Sequence, residues 1–158
     1  MNTYKLAAII ENLKASFDGK PWYGMPVMEK LDQIPWEIVN EETYGTKTIA
    51  VLVQHIINWR MFVIRKLEGD VEFNIVIDGE NDWDQVTIAT SEEWNSLKQQ
   101  LQQTQATLIQ KLSEETDDLL TLKVPGKAYV FGPILVSIAQ HDIYHLGQIA
   151  MLNSMHQS

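Results

Sequence analysis

His141 and His145 bracket three residues in the run His141-Asp142-Ile143-Tyr144-His145. On a helix, with about 100° and 1.5 Å per residue, positions four apart lie one turn apart on the same face. Two imidazoles held that way can share one metal ion, the rest of its sphere coming from elsewhere. The pair also falls on an apolar stripe, Ile134, Ile138, His141, His145, Ile149 and Leu152, at spacings of three and four. Those positions should face a core, where an unsatisfied polar ring costs free energy. A third histidine stands in the same kind of row upstream, in Leu52, His55, Trp59 and Phe62. His55, His141 and His145 are therefore the candidate metal ligands. Core histidines satisfied by hydrogen bonds alone are the alternative that spacing leaves open. His156 lies eleven residues beyond His145, roughly 16 Å along a helix and too far to share the ion; it reads as a frayed, exposed terminal residue.

Three neutral imidazoles with an open position for water make a catalytic arrangement rather than a structural one. Such an ion brings the pKa of a bound water or thiol towards neutrality, or polarises a carbonyl. Zinc suits a tetrahedral site; nickel, iron or manganese suit an octahedral one, and the residues do not choose between them. Each ligating ring needs an acceptor on its other nitrogen. Gln148, seven residues from His141 and three from His145, is favoured over Asn58 and Asp142. Trp59, one turn from His55, reads as core filling that could also wall the pocket. Asp142 reads as a solvated or interface charge, and Arg60, one of two arginines with Arg65, as only loosely adjoining the ligand face.

Four amphipathic helices would carry these residues. The first spans roughly Thr3–Phe17, with Leu6, Ile9, Ile10, Leu13 and Phe17 on one face, and Asp18-Gly19-Lys20-Pro21 ends it. A long link, Pro21–Gly45, has room for a short helix near Val27–Gln33. The second helix, Thr46–Glu68, takes Thr46 as its cap and closes at Gly69-Asp70. Val71–Ile77 alternates enough to suggest a short extended piece, with a turn at Asp78-Gly79. The third helix opens at a capping box, Thr90-Ser91-Glu92-Glu93, and buries Trp94, Leu97, Leu101, Leu108 and Leu112. Thr104 and Gln105 interrupt that face and point to a polar level inside the bundle. The fourth helix, Phe131–Ser158, begins at Gly132-Pro133, where proline is tolerated.

This pattern is all-α, a four-helix bundle forming one domain over residues 1–158. The first and second links are too long for simple hairpins, so a crossover is allowed. Trp22, Tyr23 and Trp83 in those links are candidates for a lid over the metal end, or else for plugs in the open ends of the bundle.

Composition sets the surroundings. The 158 residues suit one core, and 45% hydrophobic with 21% charged residues is ordinary for a soluble protein. The absence of cysteine excludes disulfides, thiolate metal sites and cysteine nucleophiles. With 12 basic and 21 acidic residues the net charge is −9, which disfavours nucleic acid and anionic membranes as partners. No signal-peptide pattern or bilayer-length apolar run is present, so a cytoplasmic location is expected. Ile57, Ile64, Ile143 and Leu146 lie off the core stripes and would favour a homodimer if exposed.

The residues His141–Gln148 (HDIYHLGQ), preceded by His55-Ile56-Ile57-Asn58-Trp59, resemble the DinB-like (DinB/YfiT-like) metalloenzyme superfamily. Pro21-Trp22-Tyr23-Gly24 and Asn81-Asp82-Trp83 add to the resemblance, which spans nearly the whole chain. It implies a four-helix bundle of up-down-down-up topology and a divalent ion held by His55, His141 and His145. It further implies a thiol-dependent transferase or isomerase working with a low-molecular-weight thiol, or a member with no known reaction. Two classes of function follow: a metal-dependent transferase or hydrolase activating a thiol or water, and a non-catalytic metal-binding or interaction protein of the same fold.

Overall fold

The computed structural model describes residues 5–43, 45 and 47–157. Its elements are α1 (Leu6–Phe17), α2 (Val27–Asp32), α3 (Ile49–Leu67), α4 (Ser91–Ser113) and α5 (Phe131–Met155), with 3₁₀ turns at Trp36–Ile38 and Asp117–Thr121. Among the described residues the fold is all-α, and its only ladder contact is an isolated antiparallel bridge, Lys123 to Val130. No described helix is long and apolar enough to cross a membrane.

Local chemistry sets the helix ends. The expected cap of α3, Thr46, lies outside the described residues; Thr48 caps the helix, its Oγ1 accepting from Val51 N at 3.2 Å. At the other end Gly69 adopts φ 84°, Asp70 N donates to Arg65 O and Gly69 N donates to Lys66 O. This is the paired-bond stop that a left-handed glycine permits. Thr90 Oγ1 accepts from Glu93 N at 3.2 Å, and the Glu93 carboxylate reaches back to Ala89 N at 2.6 Å, so the capping box forms one residue wide of the usual pairing. Asp117 caps α1 from a distance in sequence, accepting from Leu6 N at 2.9 Å.

The expected extended piece at Val71–Ile77 is absent. Side chains organise this segment in place of a partner strand: Asp70 Oδ1 accepts from Glu72 N and Phe73 N, and Asn81 bonds Val76 N and Asn74 O. Such local bonds compete with a ladder.

Two apolar clusters form the interior. One joins Phe17, α2, Ile49–Ile57 of α3, Trp94–Leu101 of α4 and Leu146–Leu152 of α5. The other joins Leu6–Leu13 of α1, Phe62–Ile64 of α3, Leu108 and Leu112 of α4, and Phe131–Ala139 of α5. Between them runs a polar layer: Arg60 from α3, Gln105 from α4 and Asp142 from α5, all buried. The interruption at Thr104 and Gln105 marks this level. Ile57, Ile64 and Leu146 are buried within the chain and Ile143 is half-buried, so those positions do not offer the exposed patch expected of them.

Candidate metal centre

Neighbouring helices α3 and α5 bring the three histidines together beside the polar layer. His55 and His145 are buried and His141 is half-buried. His141 Nε2 lies 3.1 Å from His55 Nε2 and 3.1 Å from His145 Nε2. Each ring offers one ligand atom, all within 4.8 Å of one another, and the group could hold a metal ion.

The outer nitrogens decide what the inner ones can do. His55 Nδ1 donates to the backbone oxygen of Asp82 at 2.8 Å, with the Asp82 carboxylate at 3.0 Å. His145 Nδ1 donates to Gln148 Oε1 at 2.6 Å, the partner favoured from the sequence. With those protons on Nδ1, the Nε2 atoms of neutral His55 and His145 carry lone pairs directed at the gap. A single proton on His141 Nε2 could satisfy one neighbour and not both, so hydrogen bonding alone leaves the cluster incomplete. A divalent ion satisfies all three. Metal–nitrogen bonds of about 2.05 Å place ligand nitrogens roughly 3.3 Å apart in a tetrahedron and roughly 2.9 Å apart in an octahedron. The 3.1 Å separations lie between these values, and the donor set fits the ion.

Electrostatics favour the uncharged form of His141 and His145. Burial lowers the pKa of His141 to about 3, helped by the adjacent His145 and His55 and by Arg60, against the pull of Asp82. Burial also lowers His145, with Gln148 opposing. Neutral imidazoles are the form that binds metal.

Residues from the second link complete the surroundings. Asp82 is buried and anchored, accepting from Trp59 Nε1 at 2.8 Å and from Asp78 N at 2.8 Å. Trp83 stacks flat on His55, ring centroids 3.7 Å apart and planes within 4°, and Lys47 sits over the Trp83 ring at 5.0 Å. Trp83 therefore covers one face of His55, whereas Trp22 is 94% exposed and packs on Tyr23. Asn58 turns to Gln54, Asn81 and Asp84 and does not support a ligand ring.

Three expectations need correction. Asp142 is not a solvated charge: it is 1% exposed and paired with Arg60, also 1% exposed, whose guanidinium bonds both carboxylate oxygens and Gln105 Oε1 at 2.7 Å. Arg60 accordingly braces α5, which carries His141 and His145, from within. Gln105 Nε2 continues the network to Leu13 O at 3.1 Å. His156 is not a frayed end; it pairs with Glu41 at 3.0 Å. Hydrophobic periodicity carries no record of a charge partner 82 residues away, which is what allows Arg60 and Asp142 to be interior.

A family model described as the DinB superfamily matches residues 24–149, a span that takes in His55, Asp82, Trp83, His141, His145 and Gln148. No curated protein matches the chain, and no solved structure does. With its match covering most of the sequence and all three clustered histidines, the chain belongs to the DinB superfamily.

Proposed function

We propose that His55, His141 and His145 hold one divalent metal ion, and that the chain uses it on a small molecule in a thiol-transfer or hydrolytic reaction. The observation that carries this is the convergence of three Nε2 atoms while Asp82 and Gln148 occupy the opposite nitrogens of two rings. When bound, the ion would supply a Lewis acid able to acidify a thiol or water or to polarise a carbonyl. The protein's part is orientation. Asp82 and Gln148 fix tautomer and ring direction, Trp83 shields one face of His55 from water, and the Arg60–Asp142 pair holds α5 against α3 beneath the site.

Both arginines are committed, Arg60 to Asp142 and Arg65 to Asp70. A thiol carrying carboxylates would therefore find no guanidinium waiting, which favours a neutral or weakly charged low-molecular-weight substrate. The buried carboxylates near the histidines are committed as well, Asp82 to His55 and Trp59, Asp142 to Arg60. That commitment favours the second reading, a metal-binding protein without turnover, to the extent that the reaction needs a general base. Turnover of a chloronitroarene or an epoxide with several low-molecular-weight thiols separates the two. Metal-dependent product formation supports the enzyme; a fully loaded protein inert towards every pair supports the binding protein.

The four long helices are read as a four-helix bundle of up-down-down-up topology within one domain. Support comes from cluster membership: the end of α1 and of α5 shares one apolar cluster with the beginnings of α3 and α4.

A further inference from the structure

A cleft of about 180 Å³ opens beside His141, between α3 and α5. Its depth is formed by Val63 and Ile138, both buried, and its rim by half-buried Trp59 and Ile134 with exposed Ser137. Asp142 and Arg60 also border it, yet the wall is almost wholly apolar. The reason lies in where the polar atoms go. Arg60 and Asp142 spend their charges on each other and on Gln105. Ser137 Oγ donates to Pro133 O at 2.7 Å within its own helix, and Trp59 Nε1 donates to Asp82. Of the side chains around the cleft, His141 is the one shared with the metal centre.

Resting on the metal-centre proposal above, we infer that this cleft receives a small apolar group of the substrate, up to the size of one phenyl ring, while the reacting end lies at the histidines. Size sets the upper limit, since an apolar cavity of about 150 Å³ takes up benzene. Charge sets the other limit. An ionised tail would be desolvated with no free counter-charge, because the neighbouring Arg60 is already paired. The cleft thus selects an uncharged aryl or short branched alkyl substituent over the polar body of a peptide thiol.

The test uses the whole chain loaded with cobalt(II), and fluorobenzene as a probe that has no metal-binding atom. A saturable ¹⁹F shift is expected for the native chain, lost in Ile134→Trp and in Ser137→Trp, with the cobalt content of both variants unchanged. Ser137 is exposed and Ile134 half-buried, so at least one variant should keep the native circular dichroism. In a second arm the cobalt absorption spectrum is titrated with benzyl mercaptan and with 2-mercaptoethanol. Burial of the ring should lower the half-saturating concentration for benzyl mercaptan by about tenfold or more, an advantage that disappears in Ile134→Trp. Absence of saturable fluorobenzene binding, or binding untouched in a folded variant, overturns the cleft while cobalt content leaves the metal centre standing. Fluorobenzene binding by a chain that takes up no cobalt supports the cleft and overturns the metal centre.

Discussion

Replacing Arg60 with methionine keeps an unbranched apolar stem and removes the guanidinium with its charge. What remains is the Asp142 carboxylate, 1% exposed and without a counter-ion, and a Gln105 Oε1 that has lost its 2.7 Å donor. Breaking a buried pair from one side costs about 3–5 kcal/mol. Against about 5–15 kcal/mol for a typical domain, that is about a fifth of the stability or more. Burial already pushes the Asp142 carboxyl up, with Arg60 pulling it down. Without Arg60 it rises further above the unfolded value of about 3.9. An acid whose folded pKa is raised loses stability above the unfolded value, and that loss fades as pH falls through the folded pKa. The deficit of Arg60→Met should therefore be largest near neutrality and shrink in acid. Arg60→Met/Asp142→Leu, with no charge left, should recover most of the loss. Urea unfolding of the three chains at pH 7 and pH 5, with chelator throughout, measures this. A single-variant deficit below about 1 kcal/mol, or one that grows in acid, refutes the assignment of the polar layer as a brace.

His145→Ala should fold normally by circular dichroism yet lose the metal-dependent rise in melting temperature, a gain of about 2.7 kcal/mol in the parent at a hundredfold excess of metal over Kd; a variant as chelator-sensitive as the parent contradicts the ligand assignment. His141 and His145 are lowered in the folded chain, His141 to about 3, so the unfolded chain takes up protons first as pH falls below about 6.5. Their contribution to metal-free stability should be full above about pH 6.5 and decline below it, and metal release followed by equilibrium dialysis should centre below pH 6.5; release centred at or above that value counts against neutral, buried ligands. Asp82→Asn keeps the backbone acceptor for His55 but removes the carboxylate that also holds Trp59 and Asp78 N. Metal affinity should fall about 10- to 100-fold, and unchanged affinity by competition with a chelator would remove Asp82 from the site.

The histidine cluster was legible because a helix converts spacing of three and four directly into adjacency, and because polar rings on apolar rows stand out. The same periodicity led from His145 to Gln148 one turn on, and Thr104 and Gln105 announced the polar layer. Asp82 shows in the sequence only as part of a short run, Asn81-Asp82-Trp83, and Trp83 there and as a candidate lid or plug. Their roles depend on the path of an irregular loop, which side-chain bonds from Asp70, Asn81 and Asp82 set and no period encodes. The Arg60–Asp142 pair was misread for a related reason. Each residue alone resembles a surface charge, and burial becomes tolerable only when α3 and α5 bring the two together. The alternation in Val71–Ile77 reflects one buried side chain, Ile75, under a loop and not a half-buried strand.

The central claim is one ion on three histidines. An anomalous-scattering scan across the zinc, nickel, iron and manganese edges, on crystals grown without chelator, tests it most directly. The expected result is a single peak bound to the Nε2 atoms of His55, His141 and His145, at about 2.0–2.2 Å from each. An ion held by other residues, or ring nitrogens that remain without one in protein equilibrated with all four metals, would contradict it.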